Sequence, residues 1–109
     1  MIKKIVLIFL ISNFSYGTDF LVIQSTTSTS DSGFYDYILP IYEKKTGIDI
    51  RVVAVGTGQA IKNAMNGDGD LLITHSEEDE KNFVLNGYGL ERKKLMYNDF
   101  IIIGPKNDP

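Results

Sequence analysis

Hydrophobic positions in this chain follow two spacings in turn, and each change of spacing marks a new element. The apolar run Phe20-Leu21-Val22-Ile23 predicts a first strand over Phe20 to Gln24. It is apolar throughout rather than at alternate positions, which suits a strand of a parallel sheet covered on both faces. Phe34, Ile38, Ile41 and Tyr42 then recur at three and four residues, predicting a helix from Asp31 to Lys45. Asp31 suits its positive end and Gly47 its termination, while Pro40 removes a backbone hydrogen bond and predicts a kink. Ile48, Ile50 and Val52 alternate along a second strand that reaches Val55. Ala60, Ile61, Ala64 and Met65 share one face of a second helix, starting at Thr57 or Gly58 and ending at Gly67.

A third strand follows over Asp70 to Thr74. Ser76 is placed to cap a third helix that carries Phe83 and Val84 and ends at Gly87-Tyr88-Gly89. Its first turn holds Glu77, Glu78, Asp79 and Glu80, a run that matches the helix dipole and reads more simply as a solvated helix start than as a metal site. A fourth strand, or pair of strands, is predicted through Leu95 to Ile103. Strand and helix in strict alternation give an α/β fold of βαβ units around a parallel sheet.

Ligands of such sheets sit at the carboxyl ends of the strands. Two connections there share an unusual chemistry. The first is Ser25-Thr26-Thr27-Ser28-Thr29-Ser30, six consecutive hydroxyl side chains, continued by Asp31-Ser32-Gly33. The second is Val55-Gly56-Thr57-Gly58-Gln59. Hydroxyls and free backbone N–H groups at helix starts can surround an oxyanion without bringing in a cation. One Ser/Thr run alone reads as a capped or solvated loop. Two such loops in matching positions point to one small anion held between them.

Charge adds a constraint. The chain has 11 Lys+Arg against 14 Asp+Glu, a net charge of −3. Its start, Met1-Ile2-Lys3-Lys4 followed by apolar Ile5 to Ile11 and small residues at Ser15 and Gly17, has the anatomy of a signal peptide over residues 1–17. Without Lys3 and Lys4 there remain 9 Lys+Arg against 14 Asp+Glu, a net charge of −5. An acidic chain has no general attraction for nucleic acid, so an anion must be captured by local donors. There is no cysteine, hence no disulfide, thiolate metal site or lipidated cysteine.

Enzyme readings lack a constellation. His75 is the only histidine, which rules out a multi-histidine metal site, and adjacent Ser76 diverges from it as successive side chains do. No serine lies in a G-x-S-x-G elbow. His75 is therefore expected to pack or bond locally at a strand end, with lining the cleft as the alternative. Gly56-Thr57-Gly58 begins like a nucleotide loop, but Ile61 stands where the dinucleotide fingerprint needs glycine or alanine, and no P-loop is present. No cofactor is expected.

Four segments now stand in one order and spacing: Ser25-Thr26-Thr27-Ser28-Thr29 with Asp31-Ser32-Gly33; Val55-Gly56-Thr57-Gly58-Gln59-Ala60; Asp70-Leu71-Leu72-Ile73-Thr74-His75-Ser76; and Met96-Tyr97-Asn98-Asp99-Phe100-Ile101-Ile102-Ile103-Gly104-Pro105. Together they resemble the periplasmic tungstate-binding proteins of ABC importers. The resemblance covers essentially all of residues 18–109. It implies the first lobe of a type II periplasmic binding protein, a non-enzymatic receptor that closes on a tetrahedral oxyanion and delivers it to an inner-membrane permease. The family's anion contacts would fall on Thr26, Thr27, Ser28 and Thr57 and on the backbone N–H of Gly58, with Ser25 in place of the family's first threonine. Family members are more than twice this length, and their second lobe supplies an arginine in a Ser-Arg-Gly-Asp-Asp-Ser-Gly-Thr segment that this sequence lacks.

The expected organisation is thus a signal peptide at 1–17 and one lobe at 18–109, with the sequence read as a fragment of a longer monomeric protein. A truncated non-binding remnant is the alternative. Molybdate, phosphate or sulfate are the alternative anions, since hydroxyl loops alone do not choose among tetrahedral oxyanions. A secreted hydrolase is the reading from another class, and would need a general base close to Thr27 or Ser28. Export makes a direct prediction: N-terminal sequencing of periplasmic material finds Thr18 at or near the first position, and a product still beginning at Met1 would refute it.

Overall fold

The computed structural model describes residues 19–107. The segment expected to direct export lies outside these residues. The elements in order are β1 (Phe20–Thr26), α1 (Thr27–Asp31), α2 (Phe34–Thr46), β2 (Asp49–Val55), α3 (Thr57–Met65), β3 (Leu71–Leu72) and α4 (Glu77–Leu85). The strands form one parallel sheet in the order β2-β1-β3, so the α/β architecture with βαβ units is as expected.

β1 is central, and its buried part is the carboxyl half, Ile23 to Thr26, while Phe20 and Leu21 at its start are exposed. Its pairing with β2 runs from Phe20↔Asp49 to Thr26↔Val55, while β3 pairs only at Ile23↔Leu71 and Gln24↔Leu72. The fully buried apolar residues are few: Ile23 at 6% exposure, Tyr35 at 5% and Ala60 at 0%. Ile23 lies on β1, and α2 and α3 supply one residue each, Tyr35 and Ala60.

Polar side chains complete the framework. Gln24, 2% exposed, donates from Nε2 to the Asp68 carbonyl at 2.7 Å and accepts at Oε1 from Asn63 Nδ2 at 3.0 Å. Both polar ends of a buried amide are thereby satisfied, tying β1 to α3 and to the turn before β3. Asp70 works beside it. Its N–H donates to the Val22 carbonyl at 2.9 Å, and its carboxylate accepts the Val22 N–H at 2.9 Å, taking the place of a strand carbonyl.

Three local differences from the sequence reading have physical causes. The helix expected over Asp31 to Lys45 begins only at Phe34, as α2; Asp31 instead ends the separate short helix α1, formed within the hydroxyl loop, and the two are divided at Ser32-Gly33. Ser32 Oγ donates to the Thr29 carbonyl at 2.6 Å and accepts the Phe34 N–H at 3.3 Å, and Gly33 is left-handed at φ +80°. A hydroxyl that takes over both backbone partners ends one helix and starts the next. Pro40 lies inside α2, and both it and Asp36, whose carbonyl it leaves without a partner, are exposed. Water meets that carbonyl, so the proline is tolerated.

Ser76 stands at the N-cap of α4 but caps no backbone N–H; its Oγ donates to Asp79 Oδ2 at 2.6 Å. The acidic run itself is engaged by cations, Glu77 with Lys81 at 3.0 Å and Glu80 with Arg92 at 2.7 Å. The fourth strand expected through Leu95 to Ile103 is not formed. Leu95, Met96, Tyr97 and Phe100 to Ile103 are exposed and lie in no element. An apolar run becomes a strand only when another strand completes its hydrogen bonds, and among the described residues this one pairs with none.

The Gln24 anchorage makes Gly69 critical. A Cβ at Gly69 would lie 2.7 Å from Gln24 Cγ and 3.4 Å from the Val22 carbonyl oxygen. Gln24 is held at both polar ends and cannot swing aside. Gly69→Ala is expected to lower unfolding free energy by about 1–3 kcal/mol in urea titrations, with the secondary-structure signal of the folded state retained.

Candidate oxyanion site at the carboxyl edge of the sheet

The register Thr26↔Val55 ends β1 and β2 at the same level, so the hydroxyl loop and the Gly56-Thr57-Gly58 loop leave the sheet side by side. β3 brings a third connection to the same edge. The Ile73 N–H donates to the Gln24 carbonyl at 2.9 Å, after which Thr74, His75 and Ser76 turn into α4.

The six hydroxyls of the first loop divide by burial into internal and outward groups. Ser25 is 0% exposed, and its Oγ lies 2.6 Å from Tyr35 Oη. Thr26, 2% exposed, is both the last residue of β1 and the N-cap of α1. Its Oγ1 accepts the Thr29 N–H at 3.4 Å and lies 2.9 Å from Thr29 Oγ1 and 3.2 Å from Ser28 Oγ. Thr27 and Ser28 are exposed.

In the second loop Gly56 caps α3 without a side chain, so the N–H groups of Thr57, Gly58 and Gln59 precede the first intrahelical bond, Ala60 N–H to Gly56 carbonyl at 2.9 Å. Thr57 is half-buried and Gly58 exposed. Among the described residues no hydrogen bond engages the hydroxyls of Thr27 or Thr57. Of the five residues expected at the site, Thr27, Thr57 and Gly58 hold donors without a partner among the described residues and Ser28 is exposed with its Oγ in reach of protein partners, whereas the Thr26 hydroxyl is turned inward as a cap.

One residue at this edge bonds across the chain rather than locally. His75 Nε2 lies 3.1 Å from Ser28 Oγ, across 47 positions of chain. The sequence signal was the position of His75 at the end of the third strand; its partner depended on β3 lying beside β1.

The donors are neutral. No Lys or Arg stands in either hydroxyl loop. Arg51 is held 3.1 Å from Asp49 and over the Phe20 ring, and Arg92 is held by Glu80. Neutral hydroxyl and amide donors suit an anion whose selection rests on geometry rather than on net charge.

The chain matches the family described as PBP superfamily domain over residues 13–109. It is 56% identical over 89 residues to the tungstate-binding protein TupA of Peptoclostridium acidaminophilum, covering 82% of this chain and 31% of that relative. Among solved structures, the tungstate binding protein TupA from Desulfovibrio alaskensis G20 superposes with a TM-score of 0.80 at 48% identity, covering 84% of this chain and 36% of that one. The tungstate ABC transporter structure from Geobacter sulfurreducens gives 0.76 at 50% identity, covering 83% and 39%. The chain therefore spans about a third of the length of the relatives it matches.

The Ser25–Tyr35 bond beneath the loop gives a pH prediction. Burial raises the Tyr35 pKa above its ordinary value, and the Ser25 bond offsets part of that rise. As pH climbs, the unfolded chain loses its phenol proton first, near pH 10. The stability contributed by the neutral phenol is full below that point and is lost as pH rises through the folded pKa. Tyr35→Phe leaves Ser25 Oγ buried without its partner, costing about 1–3 kcal/mol at neutral pH. In urea titrations the gap between wild type and Tyr35→Phe should narrow from pH 9 to pH 11; a constant gap would refute this account.

Proposed function

This chain belongs to the PBP superfamily, and from that premise we propose that it is the first lobe of the substrate-binding component of a tungstate ABC importer. In this reading it is exported, with residues 1–17 as signal peptide and residues 18–109 as the lobe. It works in the periplasm as a receptor rather than an enzyme, hands the anion to an inner-membrane permease, and is monomeric when complete. The observation that carries the proposal is the pairing of two cation-free donor loops at one level of a parallel sheet, fixed by Thr26↔Val55. The names of the relatives supply the anion.

The proposed roles follow from the hydroxyl accounting. Thr27, Ser28 and Thr57 donate O–H bonds to the oxyanion, and Gly58 donates its backbone N–H. Thr26 contributes through its cap, which holds Ser28 and Thr29 in place. Nothing in these donors depends on a bound metal or cofactor.

Tungstate carries two negative charges, and each hydroxyl donated to a charged oxygen is a strong hydrogen bond. Removing one such bond costs about 1.5–3 kcal/mol, which converts to roughly tenfold to a hundredfold in affinity. In a two-lobed protein that carries this chain, calorimetric titration of Thr57→Ala with tungstate is expected to show a loss of that size. The circular dichroism spectrum should stay unchanged. Undiminished affinity would remove Thr57 from the site; the same result for Thr27→Ala and Ser28→Ala as well would overturn the proposal.

A further inference from the structure

We infer that His75 is a positioning residue for the bound anion: its Nε2–H donates to Ser28 Oγ and so turns the single Ser28 hydroxyl proton towards the ligand. The inference rests on the reading of these loops as an oxyanion site, and it adds a residue from a third loop.

Proton counting at Ser28 carries the argument. A serine hydroxyl has one proton to give and two lone pairs to receive. Ser28 Oγ has two neighbours in hydrogen-bond reach, His75 Nε2 at 3.1 Å and Thr26 Oγ1 at 3.2 Å. If either neighbour accepts, the Ser28 proton is spent inside the protein and the anion meets only lone pairs. If both donate, the lone pairs are filled and the proton can leave only outward.

Thr26 is free to donate. Its Oγ1 receives the Thr29 N–H at 3.4 Å and lies 2.9 Å from Thr29 Oγ1; in the arrangement inferred here the Thr29 hydroxyl donates to it, which leaves the Thr26 proton for Ser28. The remaining variable is the imidazole. With the proton on Nδ1, Nε2 takes the Ser28 proton; with the proton on Nε2, it fills the last lone pair. An anion at Ser28 needs the second state and therefore selects it. Bonds running in one direction from Thr29 through Thr26 to Ser28 also polarise one another, so the outward O–H becomes a better donor.

His75 is well placed for this work because its neighbours are tied down. Thr74 Oγ1 donates to Glu80 Oε1 at 2.8 Å, and the other oxygen of Glu80 accepts Arg92 Nε at 2.7 Å. On the other side Ser76 Oγ donates to Asp79 Oδ2 at 2.6 Å. The ring is thus carried on a turn pinned at the residues before and after it, while remaining exposed itself. The charged groups of the flanking elements are Asp31 of α1 and Glu77, Glu78, Asp79, Glu80 and Lys81 of α4, Lys81 lying 3.0 Å from Glu77. Asp79 and Glu80 are engaged by Ser76 and Arg92.

The test uses an untagged, 15N-labelled two-lobed protein that carries this chain; this sequence has one histidine, and its imidazole signals are identified by their loss in His75→Gln. Sodium tungstate is titrated into it at pH 8 against sodium chloride of equal ionic strength. The ring nitrogen shifts report the tautomer, and the amides of Thr27, Thr57 and Gly58 report the anion. The expected result is loop amide shifts together with a move of the imidazole towards the Nε2–H form.

In Ser28→Ala the loop amides should still shift, at higher tungstate, while the tautomer stops responding. His75→Gln, which keeps an N–H donor, should bind within about threefold of wild type. His75→Leu should lose about fivefold, the scale of one neutral hydrogen bond. Loop amides that shift while the imidazole stays unchanged, or moves to the Nδ1–H form, would overturn the role of His75 and leave the tungstate reading standing. Loop amides that ignore tungstate would overturn that reading and this inference with it.

Discussion

Thr26 sits where two different hydrogen-bonding regimes meet, and the carboxyl edge of the sheet is built around that junction. As the last residue of β1 it is held in register against Val55, which fixes the height at which both loops begin. As the N-cap of α1 it takes the Thr29 N–H, which turns the chain away from the sheet within a single residue. Its hydroxyl is buried, so the capping bond has no competing water. A residue with no hydroxyl at this position would still extend β1 but would leave the following turn unspecified, with Ser28 and Thr29 losing their common reference point. A valine would fit the strand and lose the turn.

The placement of neutral donors makes sense against the net charge. An acidic chain that gathers an anion must hide its carboxylates from the site or occupy them. Here Glu77 and Glu80 of the first turn of α4 are engaged with Lys81 and Arg92, and Asp70 accepts the Val22 N–H at its carboxylate. What the carboxyl edge presents between Thr27 and Gly58 is then a surface of O–H and N–H groups. The same bonds that stabilise the fold reduce the repulsion that the composition alone would impose.

Much of this was legible in the residues. The uninterrupted apolar character of Phe20 to Ile23 gave β1 but not its burial, which falls on Ile23 to Thr26 and leaves Phe20 and Leu21 exposed, and the spacing of Ala60, Ile61 and Ala64 gave α3 almost to its ends. The two donor loops followed from where those elements stop. What was not legible depended on contacts between distant segments or on hydroxyl geometry. Ser32 has the same composition signal whether it caps or merely decorates a helix, and only its bonds to Thr29 and Phe34 show the break. His75 was visible as a strand-end residue, but its partner required β3 to lie beside β1. The strand expected at Phe100 to Ile103 had the right apolar pattern; pattern states a readiness to pair, and pairing needs a second backbone.

The Glu43 side chain gives the sheet a direction of growth. From α2 its Oε1 accepts the Ile50 N–H at 3.0 Å, on the side of β2 that faces away from β1. A backbone group that would otherwise invite another strand is already occupied by a carboxylate. An incoming strand at that edge would have to expel Glu43 and gain no more than the bond it broke. The flank beyond β3 carries no equivalent guard among the described residues, and Leu71 is exposed there. Accretion of further backbone is thus handicapped on one side and left open on the other, so a single acidic residue on a helix biases which rim of the sheet can be extended.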